Sequence, residues 1–144
     1  MIKASLNVKF FINLAKLQSI LNRRFDSALN GLGLNEFIIL YHLSQAPKET
    51  LRRIELADKV GLTASGITRL LLPMEKIGLV KSGEKESDAR VRGVMLAPGG
   101  KQKLIEAMER AELLTKEILP SNKKGRIKEF SNLFSELVGR IYMS

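Results

Sequence analysis

Cysteine is absent from the 144-residue chain, and with it go disulfides, thiol redox switching and thiolate metal ligands. Histidine is nearly absent too. His42 stands alone, so a multi-histidine metal site and His-centred acid–base catalysis both lose their usual parts. No Ser-His-Asp set or phosphate-cradling glycine loop is present. The paired carboxylates Glu84 and Glu86 sit in a polar stretch where two solvated acids are the simpler reading. The chain therefore reads as a non-enzyme with no cofactor and no metal.

Long apolar runs are missing as well. The stretch Phe37–Leu43 is seven residues including His42, far below the roughly 18 needed to span a bilayer. Lys9, Asn13 and Lys16 interrupt the N-terminal apolar pattern that a secretory signal requires. These features predict a cytoplasmic protein with no membrane partner. Nor is there a charged tail. The chain holds 24 Lys plus Arg against 15 Asp plus Glu, a net charge of +9, which favours a polyanionic partner such as nucleic acid or an acidic membrane surface, and charge alone does not choose between them. That excess is spread evenly: five basic and two acidic residues over 1–47, ten and seven over 48–92, nine and six over 93–144. A nucleic-acid site must then come from folding particular Lys and Arg onto one face. The cluster Lys123, Lys124, Arg126 and Lys128 reads as a solvated turn.

What is present is helical periodicity. At 144 residues and 44% hydrophobic, the chain is sized for one core. Phe10, Leu14, Leu17, Leu21, Phe25 and Ala28 recur at three- and four-residue steps and predict one long amphipathic helix over about 6–29, ended by Gly31 and Gly33. Asn35 is the expected cap of a second helix, apolar nearly all round from Phe37 to Leu43 and so expected to be buried, which Pro47 closes. Thr50 is the expected cap of a third helix ending at Gly61, and Thr63 of a fourth. Leu79-Val80 and Val91–Leu96 are strand-like runs separated by the polar stretch Ser82–Arg90, the pattern of a hairpin. Two striped helices follow, one through Leu104, Met108, Ala111, Leu114 and Ile118, the other through Ile127, Phe130, Phe134, Leu137 and Ile141, divided by Pro120 and Gly125. The fold class is mainly α with a small β-hairpin wing.

The segment Arg53–Leu70 has helix-turn-helix spacing. Ala57 is small where two helices must approach, Gly61 permits the sharp turn, and Leu56, Val60, Leu62, Ile67 and Leu70 form the expected shared seam. A recognition helix starting after Thr63 would present Ala64, Ser65, Thr68 and Arg69 to a major groove, with Ile67, Leu70 and Leu71 inward. Arg69 suits bidentate pairing with guanine or a phosphate contact, and Ser65 and Thr68 suit either. Arg92 shares a hairpin face with Arg90, two residues earlier.

With Gly78-Leu79-Val80 followed by Asp88, Arg90, Val94 and Leu96, the chain resembles the MarR family of multiple antibiotic resistance regulators. Gly33-Leu34, Phe37 and Leu40 before Pro47, and the final helix pair, extend the resemblance over nearly the whole chain. It implies a winged helix-turn-helix over 33–97 within a single domain over 1–144, with dimerisation helices over 1–32 and 98–144. It nominates Arg90 for minor-groove insertion and Asp88 for orienting an arginine. It further implies a sequence-specific regulator of double-stranded DNA, a ligand-responsive repressor acting as a homodimer on a pseudo-palindromic operator. A small aromatic or phenolic effector would occupy a cleft for which Phe10, Phe11, Tyr41 and His42 are the candidates. The rival expectation is a winged-helix module that binds protein and reads no DNA. The chain departs from the family pattern at Ala97, where a threonine is usual, at Ser82 and Gly83 in place of wing-strand arginine, and at Pro73, which withholds a donor from the Arg69 carbonyl and predicts a kink.

Overall fold

A computed structural model describes residues 1–83, 91–119 and 121–144. Among these residues are helices α1 (Leu6–Ala28), α2 (Leu34–Gln45), α3 (Arg53–Val60), α4 (Ala64–Lys76), α5 (Pro98–Ile118) and α6 (Lys124–Met143), and strands β1 (Thr50–Arg52), β2 (Val80–Ser82) and β3 (Gly93–Leu96). Single 3-10 turns cover Pro47–Glu49 and Ser121–Lys123. The chain divides into two compact units, Met1–Ala111 and Glu112–Ser144.

In the first unit one apolar cluster joins Leu29 and Leu32 to Ile39, Leu40 and Leu43 of α2, Leu56 of α3, Ile67 and Leu71 of α4, Val94 of β3 and Leu104 of α5. Helix α1 starts at Ser5, whose Oγ accepts from the Val8 amide at 3.2 Å. It ends where Asn30 (φ 55°) and Gly31 (φ 86°) turn left-handed, so that Leu29 and Leu32 dip into the core while the helix itself buries no residue.

Two expected caps are corrected. Helix α2 begins at Leu34 with Gly33 at its cap position, two residues earlier than Asn35 would set it. The Phe37 amide that an Asn35 cap would satisfy bonds instead to the Gly33 carbonyl at 2.9 Å, and the Leu34 amide at the new helix start bonds to Asp26 Oδ1 at 2.9 Å from across the α1–α2 loop. Thr50 does not cap α3. It opens β1, which pairs antiparallel with β3 (Thr50↔Met95, Leu51↔Val94, Arg52↔Gly93) and turns Leu51 into the core. The ladder uses the backbone that a cap would need, and the Thr50 hydroxyl donates to the Lys48 carbonyl at 2.9 Å. The start of α3 is instead held by Glu55, whose carboxylate accepts from the Arg52 amide at 3.3 Å and from Arg52 Nε at 2.6 Å.

The expected hairpin is the pair β2–β3 (Val80↔Leu96, Lys81↔Met95, Ser82↔Val94). With β1 it makes a three-stranded sheet in the order β1-β3-β2. Helix α2 is less enclosed than its composition suggests: Ile39, Leu40 and Leu43 are fully buried, but Tyr41 is 41% exposed, because only one face of the helix meets the core. Helix α4 runs through Pro73 to Lys76.

The second unit holds the end of α5, the 3-10 turn and α6. Among the described residues α6 buries none, and Phe130, Phe134, Val138 and Ile141 are all exposed.

Candidate nucleic-acid interface

Helices α3 and α4 form a helix-turn-helix for local reasons that the sequence states. Gly61 ends α3 in the left-handed region at φ 82°, where its amide and that of Leu62 both bond to the Ala57 carbonyl at 2.9 and 3.0 Å. Thr63 then caps α4, its Oγ1 accepting from the Gly66 amide at 3.1 Å. Leu56, Ala57, Ile67, Leu71 and Met74 are buried between the helices and the rest of the core. Leu62 is not part of that seam. It lies in the turn, off both helical faces, and is 36% exposed.

Of the residues expected on the reading face of α4, Ser65, Thr68 and Arg69 are exposed and Ala64 is half-buried. Ser65, Arg69, Leu72 and Lys76 follow one another at helical spacing and line a single outward ridge. Leu72, 57% exposed on that ridge, was not anticipated. The Thr68 hydroxyl is also engaged inward, accepting from Arg53 Nη1 at 3.2 Å.

Arg92 lies half-buried at the foot of β3, and its carbonyl accepts from the Arg53 amide at 3.1 Å. Asp88 and Arg90 fall outside the described residues. Phe10 and Phe11 stack edge to face at 5.4 Å, and Tyr41 and His42 meet at 5.3 Å. Two cavities lie elsewhere in the same unit. One of about 220 Å³ is lined by Asn22, Asp26, Gly33, Leu34, Asn35, Glu36 and Leu70, and a shallower one of about 300 Å³ by Ile20, Arg23, Arg24 and Ser27. No group of side chains among the described residues could hold a metal ion, and no helix there is long and apolar enough to cross a membrane.

The least expected feature is Arg53. Its side chain is 7% exposed. Nη2 bonds to Glu75 Oε1 at 3.4 Å and to Ser82 Oγ at 3.1 Å, and the Ser82 hydroxyl donates to the same Glu75 oxygen. Burial lowers the pKa of the guanidinium, the Glu75 carboxylate opposes that shift, and Arg92 adds to it. Arg53 Nε and Arg92 Nε are buried without a hydrogen-bond partner among the described residues. A signal for this group was present in the sequence. Arg53 falls in register with the buried Leu56 and Ala57, and Glu75 follows the buried Leu71 and Met74. One charge of each sign on two facing apolar surfaces marks an interior pair.

A helix-turn-helix followed by a two-stranded extension paired to a third strand defines a winged helix-turn-helix. Residues 32–91 match the sequence profile of the MarR family, so this segment is a MarR-family domain, and the surrounding fold is the MarR winged-helix fold. The chain is similar to the transcriptional regulator BldR from Sulfolobus solfataricus at 25% identity over 97% of this chain and 99% of that one, with a TM-score of 0.75. It is also similar to Sco3205, a MarR family transcriptional regulator from Streptomyces coelicolor solved in complex with DNA (19% identity, 94% and 90% coverage, TM-score 0.73). A third likeness is to the organohalide-sensing transcriptional regulator RdhR-CbdbA1625 in its 2,4-dichlorophenol-bound form (18% identity, 96% and 82% coverage, TM-score 0.81).

Proposed function

We propose that this protein is a sequence-specific double-stranded DNA-binding transcription regulator, not an enzyme, and that it works in the cytoplasm as a homodimeric repressor. The observation that carries the reading is the outward ridge of α4, with Ser65, Arg69 and Lys76 exposed beside a wing strand in a chain of net charge +9. The DNA complex of Sco3205 supports it by analogy. Residues 33–97 are the DNA-binding part, and 1–32 and 98–144 carry dimerisation. Arg69 reads a base, Ser65 and Thr68 contact phosphate or base edges with Ala64 packed close, and Leu72 offers its methyls to a thymine methyl. Arg90 grips the minor groove with Arg92 behind it, and Asp88 orients an arginine.

Dimerisation is supported by the apolar surface of the outer helices. Phe11, Ile12 and Leu17 of α1 are 49%, 59% and 50% exposed, and Phe130, Phe134 and Ile141 of α6 are 50%, 45% and 61% exposed, more than a monomer needs to leave in water. A twofold dimer would meet a pseudo-palindromic operator. Release by a small phenolic effector is supported by the dichlorophenol-bound relative, with Phe10, Phe11, Tyr41 and His42 as the contact residues.

Salt titrations on matched and scrambled duplexes test the reading. Arg69→Ala should lower affinity for the cognate duplex about 10- to 100-fold and for random DNA much less. Arg90→Ala should weaken both more evenly and flatten the slope of log affinity against log salt by roughly 2 per dimer. Sedimentation should find a dimer that Leu137→Glu weakens. If both arginine variants stay folded dimers and bind DNA like wild type, the protein-binding winged-helix reading takes over.

A further inference from the structure

We infer that Arg53 is a positioning residue that ties the recognition helix to the wing, so that helix and wing meet DNA as one rigid body. The inference rests on the DNA-reading proposal above and concerns how that reader is built.

At 7% exposure the Arg53 side chain is itself too buried to reach a phosphate. What it reaches instead belongs to every part of the reader. Nη1 donates to Thr68 Oγ1 at 3.2 Å, one residue before Arg69. Nη2 donates to Glu75 Oε1, a further two turns along α4, at 3.4 Å. The same nitrogen donates to Ser82 Oγ at 3.1 Å, at the last residue of β2. The Arg53 amide donates to the carbonyl of Arg92, the residue before β3, at 3.1 Å. The Ser82–Glu75 hydrogen bond closes the ring between wing strand and helix. One planar guanidinium thus spans α3, α4 and β2.

Stability alone is a poor reason for such a group, because well-packed apolar residues in place of a buried ion pair are often equally or more stabilising. Geometry is a better one. The guanidinium fork holds its acceptors at fixed angles that an apolar contact does not impose, and a reading constellation is only as well placed as the shell that supports it. Wing strand β2 is three residues long, pairs with β3 and packs against α4, so the guanidinium adds a side-chain tie at the far end of the strand to the backbone bonds that hold its start, where the Leu79 amide meets the Met74 carbonyl at 2.9 Å.

The test uses the full-length protein, with binding to the cognate duplex measured alongside unfolding and amide exchange. Arg53→Met/Glu75→Met removes both charges together. It should fold with an unfolding midpoint close to wild type, bind the duplex about tenfold more weakly, and exchange the Gly83 amide, bonded across the wing to the Gly93 carbonyl at 2.7 Å, faster than wild type. Ser82→Ala cuts only the wing end of the tie and leaves the ion pair in place. It should lose roughly threefold in affinity, which keeps the inference open to refutation if the double variant does not fold. Wild-type affinity and wild-type Gly83 exchange in the variants that fold would reduce Arg53 to a packing residue and overturn the inference while DNA reading stands. Failure of wild type to bind any duplex would remove the DNA-reading proposal and this inference with it.

Discussion

Adding one methyl group at Gly100 should cost this protein a large part of its stability. Gly100 lies in the first turn of α5, where an added Cβ would stand 2.0 Å from the Leu79 carbonyl oxygen, 2.9 Å from its carbon and 3.0 Å from Leu96 Cδ1. An ordinary carbon–oxygen contact needs about 3.3 Å, so helix and strand must part by more than about 1 Å. The Leu79 carbonyl cannot give way freely, since it accepts from the Ala97 amide at 3.1 Å just before β2 begins. Overpacking of this kind costs about 1–3 kcal/mol when side chains yield, and here backbone must yield. A lost hydrogen bond adds about 1 kcal/mol, and the better helix propensity of alanine returns at most about 1 kcal/mol. Gly100→Ala should therefore destabilise by about 2–4 kcal/mol, against a total stability of about 5–15 kcal/mol for a domain. Gly125→Ala, where nothing lies within 4 Å, is the matched control and should lose no stability. Urea unfolding at one fixed protein concentration measures both, so that any dimer contributes equally. A Gly100→Ala midpoint at or above wild type with an unchanged slope would show that α5 does not approach the wing sheet this closely.

Substitutions at three other positions probe the reader and its surroundings. Thr63→Ala removes the cap of α4 and should cost about 1 kcal/mol in urea unfolding, with DNA affinity falling as the first turn frays. Gly61→Ala meets no atom within 4 Å but must hold φ at 82°, so it should cost about 1–2 kcal/mol from backbone conformation alone, and Gly61→Asn should cost less. His42 has its pKa lowered from 6.5 by burial first and by Lys59 second. The unfolded imidazole then binds its proton more readily than the folded one, so this group's contribution is present above the unfolded pKa and is lost as pH falls through the folded value. His42→Gln should make thermal stability less sensitive to acidification below about pH 6.5, and an unchanged pH profile would remove His42 as a source of it.

The sequence by itself determined the elements whose causes are local. Gly61, Thr63 and the apolar register of Leu56, Ala57, Ile67 and Leu71 specify a helix-turn-helix because capping and helical periodicity act within a few residues. Ser65, Thr68 and Arg69 fall outward for the same reason, since residues that alternate with a buried stripe have nowhere else to go. Tertiary structure decided whatever depends on residues far apart in the chain. Thr50–Arg52 has too short a pattern to declare itself a strand, and becomes one only because β3 offers a free edge. The Leu34 amide bonds to Asp26, eight residues back across a loop, and α2 starts there, which puts Asn35 inside the helix instead of at its cap. Gly99 and Gly100 look like flexible punctuation, yet Gly100 is required by a carbonyl of Leu79 that only the folded chain brings within 2.0 Å of its absent Cβ. Arg53 carries its charge in the open record of the sequence, but its partners Thr68, Glu75 and Ser82 lie 15, 22 and 29 residues away. Whether a buried arginine is matched by acceptors is a property of the packing, because hydrogen bonds need angstrom-scale placement that periodicity does not supply.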